Sequence, residues 1–166
     1  ITEHYTVLHD LPLAHDAEAF ARGRHKLFFH ADLPARFGVI PRYGRPEAVR
    51  WFEFSPCFVY HVVNAWEEYD RRGHWITMVA CRYLPAQRAD GAIDAPATAR
   101  DIASLRMRAR LWRWRMNLDT GEAEECCLDP QHNLEFPTVN HAQVGRPTRY
   151  GYLADQCEGE VLQFPG

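Results

Sequence analysis

An all-β fold is predicted by three features of the chain. Short runs rich in Val, Ile, Phe, Tyr and Trp recur along its length, each closed by turn-forming residues. No long amphipathic helical pattern interrupts them. The apolar content, 46 % with 13 % aromatic, lets 166 residues bury a core.

The elements follow in order. Apolar runs predict strands over 5–9, 26–30, 37–41, 49–54 and 58–63. The run 75–83 is apolar almost throughout, and 105–118 alternates arginine with apolar residues. Strands over 123–128 and 150–154 come next, and a last one begins at Val161. Turns are marked by Arg71-Arg72-Gly73, Asp119-Thr120-Gly121 and Cys157-Glu158-Gly159. The middle turn predicts a hairpin, with 110–118 leading in and 122–129 returning beside it. Residues 85–100, rich in Ala, Asp, Pro and Gly, read as a long surface loop with a short helix around 99–104. Such spacing suits a sandwich, a barrel or propeller blades, and with no sharp repeat of roughly 40–50 residues the periodicity leaves all three open.

Charge and cysteine usage narrow the functional classes. A net charge of −3 and a pI near 6.3 give no electrostatic case for nucleic acid. Lys26 is the only lysine, and the arginines are scattered except for Arg106, Arg108, Arg110, Arg113 and Arg115. On a strand this strip reads as the solvated side of a sheet. Five cysteines (Cys57, Cys81, Cys126, Cys127, Cys157) without a CxxC pair argue against a disulfide framework or a zinc ribbon and for buried free thiols in a reducing compartment. There is no signal-peptide pattern and no apolar run of about 18 residues, so a soluble cytoplasmic protein is expected. The chain opens at Ile1 in mid-pattern, so any targeting segment would lie upstream.

The stretch 51–70, WFEFSPCFVYHVVNAWEEYD, carries the chemistry. It sets His61 inside an apolar, β-branched run, where an imidazole is costly unless its nitrogens find partners. A metal on one nitrogen with a carboxylate or carbonyl on the other is one solution. A buried, hydrogen-bonded histidine is another, and spacing alone leaves both open.

This stretch resembles the signature of the carotenoid cleavage oxygenases, the family that includes the lignostilbene dioxygenases. Four further segments fit in the same order: ITEHYTVLHDLPL (1–13), RFGVIPRYG (36–44), LEFPTVN (134–140) and RYGYLA (149–154). The resemblance implies a seven-bladed β-propeller. At roughly 45 residues per blade, this chain would supply about three to four blades. Residues 1–166 are therefore expected to be one internal segment of a larger propeller dioxygenase domain.

What the resemblance implies for the site is specific. In the family four histidines hold one ferrous iron, Fe(2+), with no carboxylate bound to the metal, unlike the two-histidine, one-carboxylate triad. His61 matches one of these ligands. The other three fall outside the chain, one of them directly before Ile1, and His4 and His9 occupy non-ligand positions. Glu135 matches the family's Glu-Phe-Pro motif, whose carboxylate bonds a ligand histidine, and is expected to orient His61. Alternation sends Phe58 and Tyr60 to the face opposite His61. Twist near the propeller axis can return Tyr60 to the tunnel wall, which makes it the candidate substrate contact. Glu67 and Glu68 fall in the motif's loop, with a solvated or structural role.

His25, His30, His74, His132 and His141 lack ligand spacing. No GxSxG, P-loop or GxGxxG is present, and Cys126–Cys127 near His132 does not make a nucleophile site. The implied function of the parent protein is an Fe(II)-dependent dioxygenase that uses O2 to split C=C bonds of carotenoids, apocarotenoids or stilbenoids. It would need no organic cofactor, and any peripheral membrane contact would come through parts outside this chain. The alternative is a non-catalytic, propeller-derived binding or interaction module. Histidines at the three remaining ligand positions of the full reading frame would separate the two.

Overall fold

The computed structural model describes residues 1–106 and 108–156. The strand expected from Val161, the Cys157-Glu158-Gly159 turn and Cys157 lie outside them. The strands are β1 (Tyr5–Asp10), β2 (Leu13–His15), β3 (Leu27–Phe29), β4 (Ala35–Pro41), β5 (Arg50–Phe54), β6 (Phe58–Asp70), β7 (Gly73–Tyr83), β8 (Ala109–Asn117), β9 (Ala123–Asp129), β10 (Leu134–Thr138) and β11 (Tyr152–Asp155). Among the described residues two short α-helices are interspersed, α1 (Ala17–Ala21) and α2 (Ala95–Ala103), with single 3-10 turns at Pro46–Ala48 and His141–Gln143. The strands pair antiparallel in four sheets, ordered β6-β7-β8-β9, β1-β4-β5, β2-β3 and β10-β11.

The β6–β9 meander is the frame. β7 is buried from Trp75 to Tyr83 on both faces, which is why its sequence shows no alternation. On one face Ile76, Met78 and Ala80 pack with Trp114 and Met116 of β8 and Ala65 of β6. Phe37 and Val39 of β4 and Phe52 and Phe54 of β5 close this core from the second sheet. The Phe37 and Trp114 rings meet edge-on at 5.3 Å. The opposite face of the meander carries Asn64, Trp66 and Glu68, whose partners on β7 are Val79, Thr77 and Trp75.

The turns are tied to each other. Asn117, fully buried, accepts from the Asp119 and Thr120 amides and donates to the Arg72 carbonyl, so one amide side chain holds both hairpin turns. Gly73 has φ 123°, and a Cβ there would lie 2.5 Å from the Asp119 carboxylate. No other residue fits that turn without moving it.

Several expectations are corrected. The arginine strip is not one solvated face: Arg106 and Arg108 precede β8, and the regular β7–β8 register puts Arg110 on the side of Trp114, opposite Arg113 and Arg115. Arg115, with its side chain 13 % exposed, sits 4.3 Å over the Trp75 ring and pairs with Asp70, Glu124 and Glu68. The helix expected at 99–104 spans Ala95–Ala103, because Asp94 caps it by accepting from the Ala97 amide and Pro96 occupies its first turn. Thr98, Ala99 and Ile102 are its buried side, and Ala99 and Ile102 form a small second core with Phe29 and Tyr83. Helix α1, capped by Asp16, and the short strands β2 and β10 lie where no regular element was expected.

Candidate metal centre

His61 lies where the β6–β7 ladder is irregular. Val59 pairs with Arg82, Val62 with Ala80 and Asn64 with Val79, so β6 gains a residue in each of two successive steps. Such bulges break alternation and re-aim side chains. The consequence is visible at Tyr60. Strict alternation would send it away from His61, yet their rings lie 5.0 Å apart. Tyr60 is exposed, and the Phe58 ring meets it edge-on at 5.8 Å.

Glu135 comes from β10, in a different sheet. Its carboxylate is 2 % exposed, and Oε2 lies 2.7 Å from His61 Nδ1. The same oxygen accepts from the Phe136 amide at 3.0 Å. A carboxylate only accepts, so Nδ1 carries a proton, and the neutral ring then has its lone pair on Nε2. Nε2 has no protein partner among the described residues, and the side chain remains 39 % exposed. One imidazole nitrogen is thus fixed and the other is presented outward, the arrangement a metal-binding histidine requires.

The local backbone serves this contact. Phe136 holds φ at 52°, uncommon for a bulky residue, and the β10–β11 register shifts between Glu135 and Thr138. Pro137, with no amide hydrogen, falls inside that shift. The kink leaves the Phe136 ring exposed and 5.4 Å from His61. With Tyr60 it gives the histidine two aromatic neighbours.

The rest of the polar inventory is not drawn into this centre. No group of three or more His, Cys, Asp and Glu side chains among the described residues could hold a metal. Cys81 is pushed up to about 12 by burial and then by the Glu135 charge, so it is an inert thiol. His9 packs edge-on to Phe37 at 5.0 Å, and burial followed by the nearby N-terminal amine lowers its pKa. His4 binds Glu67 through Nδ1 at 3.1 Å.

Glu67 and Glu68 lie within β6 rather than in a loop. Glu67 accepts from the Thr2 hydroxyl at 2.7 Å and the His4 amide at 2.8 Å. Burial opposes its ionisation, but these bonds prevail and hold its pKa below the usual carboxylate value. Glu68 accepts from the Trp66 indole at 2.6 Å. Their role is structural.

Two neighbours of the centre were not singled out from sequence. Phe136 owes its place to a backbone kink with no sequence signal beyond the following proline. Asn64 carried a signal, being an amide in the same apolar run as His61.

The model of the retinal pigment epithelial membrane protein (RPE65) family matches residues 1–163. The chain belongs to the RPE65/carotenoid cleavage oxygenase family. Carotenoid 9,10(9',10')-cleavage dioxygenase 1 of Pisum sativum is 36 % identical over 154 residues, which are 92 % of this chain and 27 % of the relative. A carotenoid cleavage oxygenase of Mycobacterium tuberculosis is 36 % identical over 142 residues, 83 % of this chain and 25 % of the relative. Cobalt-substituted apocarotenoid oxygenase of Synechocystis superimposes with a TM-score of 0.69 at 26 % identity, over 93 % of this chain and 31 % of that one. The lignostilbene dioxygenase of Pseudomonas brassicacearum gives 0.65 at 30 % identity, over 94 % and 32 %. The fold is therefore part of the β-propeller that carotenoid cleavage oxygenases share. The chain spans about a quarter of the length of these curated relatives.

Proposed function

We propose that the complete protein containing this chain is a non-haem Fe(II)-dependent dioxygenase, and that residues 1–166 are one segment of its propeller. The reaction adds O2 across a C=C bond and yields two carbonyl products, one oxygen atom in each. The observation that carries the proposal is the His61–Glu135 pair, 2.7 Å apart with Nε2 unengaged. His61 would donate that nitrogen to ferrous iron, and Glu135 would fix the tautomer and strengthen the donor. When bound, the iron supplies the redox-active centre for O2.

The chain's own residues bind and orient. Tyr60 and Phe136, exposed beside His61, offer aromatic surface to an extended apolar alkene. Relatives named for carotenoid, apocarotenoid and lignostilbene cleavage support a conjugated alkene of one of these classes as the substrate. No helix of the described residues is long and apolar enough to cross a membrane. The thiols are free, buried as expected at Cys57 and Cys81 but half-buried at Cys126 and exposed at Cys127, and they suit a reducing, cytoplasmic setting.

The test is His61→Ala in the complete protein. Cleavage should be abolished and bound iron greatly reduced. Normal iron content in that variant overturns the reading and favours a non-catalytic binding module.

A further inference from the structure

Glu135 reaches His61 from a strand that shares no ladder with β6. The β10-β11 pair is a separate two-stranded sheet, and its own register breaks just after Glu135. Something other than strand pairing must therefore hold the carboxylate at its 2.7 Å contact. The front of β10 is held by Asn133, whose side-chain oxygen accepts from the Ala109 amide at 2.7 Å. The far end leads into the segment 139–151, which returns to β11 and is fastened to β6 through Asn64.

Asn64 is 4 % exposed. A buried primary amide is costly unless its donors and acceptor are used, and here they are. Nδ2 donates to the carbonyls of Gln143 (3.0 Å) and Arg146 (2.9 Å), and Oδ1 accepts from the amides of Gly145 (3.0 Å) and Ala65 (2.9 Å). Three of these four bonds belong to the returning segment. The segment also leaves no slack. Gly145 has φ 81°, and a Cβ there would lie 3.3 Å from the Thr2 backbone. A Cβ at Gly151 would lie 3.3 Å from Val63, the residue before Asn64.

We infer that Asn64 is a positioning residue. It pins the segment after β10 to the strand that carries His61, and so sets the distance and direction of the Glu135–His61 hydrogen bond. Asn64 touches neither partner; it acts through the backbone that carries one of them. The inference deepens the proposed iron centre and rests on that reading for its consequence in metal affinity. Its geometric content, that Asn64 governs the Glu135–His61 bond, can be read without metal.

The experiment is a double-mutant cycle in the complete protein, with N64A, E135Q and N64A/E135Q. One readout is Fe(II) affinity. The other is the His61 ring signal in histidine-selective 15N NMR of the metal-free protein, which reports the Nδ1–H bond to the carboxylate. N64A should weaken Fe(II) binding by about tenfold or more and shift the ring signal towards that of E135Q. The double variant should be no worse than E135Q alone, because the carboxylate that Asn64 positions is then already gone. G145A, which strains the same latch from the loop side, should shift the signal in the same direction and carries the test if N64A does not fold. An unchanged ring signal overturns the inference. So do N64A and E135Q losses that multiply in full, since Asn64 would then act on the fold and not through Glu135. If His61→Ala keeps its iron, the iron reading fails while the ring signal still decides on Asn64.

Discussion

At the scale of single residues, Glu135 poses the sharpest energetic question. Burying a carboxylate costs of order several kcal/mol, and this one is 2 % exposed. Its Oε2 accepts from His61 and from the Phe136 amide. Hydrogen bonds to a charged group contribute about 1.5–3 kcal/mol each, so the two together are of the same order as the burial cost, and neither can be spared. Glu135→Gln keeps the shape but removes the charge that, on the proposed reading, strengthens His61 as a donor to iron. The complete protein should remain folded and lose about ten- to a hundredfold in iron affinity or activity; unchanged iron loading and turnover would make Glu135 structural. His61 was legible because an imidazole in an apolar strand demands an explanation. Tyr60 was only half legible: period-2 reasoning sent it to the far face, and the bulges in β6 that return it have no sequence mark. The same cost argument that singled out His61 applies to Asn64, whose partners lie about 80 residues further along the chain and could not be guessed from spacing.

At the scale of elements, the β6–β9 meander was the legible part. Its turn residues and the β8–β9 return were readable, because β-branched and aromatic runs between turn signals have few alternatives. The elements that escaped are short. β2 has three residues and β10 five, too few for a period, and α1 owes its existence to the cap Asp16 as much as to any apolar stripe; of α2, expected around 99–104, only the start set by the Asp94 cap was missed. The strand expected from 105 begins at Ala109 because Leu105, at φ 57°, lies in the turn that ends α2. The meander should carry a measurable acid sensitivity at the β6–β7 end. A hydrogen bond from Arg115, helped by the Arg72 amide and the Trp75 indole, holds Asp70 at about 2 against an ordinary value of 3.8. A carboxylate whose folded pKa is depressed contributes stability that is fully present above its unfolded value and fades as pH falls through the folded one. Asp70→Asn should therefore melt below the parent at pH 6, with the gap closing between about pH 4 and pH 2. Thermal melts of the complete protein across that range check it, and a gap that stays constant to pH 2 would remove Asp70 from the acid response.

At the scale of the whole molecule, the described part offers one histidine nitrogen for the proposed iron, Nε2 of His61, and surfaces that nothing within it covers. Tyr152 stands exposed at the start of β11 and Tyr150 just before it, Tyr60, Val62 and Phe136 around the centre, and Leu8 and Trp51 on the β1-β4-β5 sheet. β6 and β9 are the outer strands of the meander and β1 and β5 those of the second sheet, so each has one flank unpaired within its sheet. Exposed strand edges and contiguous apolar surface are the usual seeds of aggregation. On the reading proposed above, the rest of the propeller covers them and supplies the remaining ligands. The 166-residue chain expressed alone should then aggregate or unfold readily, and should not hold iron tightly, since a single imidazole leaves the metal mostly aqueous. Sedimentation, a thermal melt and iron titration of the isolated chain test this together. A monomeric, cooperatively melting chain that binds iron near-stoichiometrically would overturn the proposed register, because its own histidines, His4 and His9 first among them, would then have to gather into a site that the fold described here does not form.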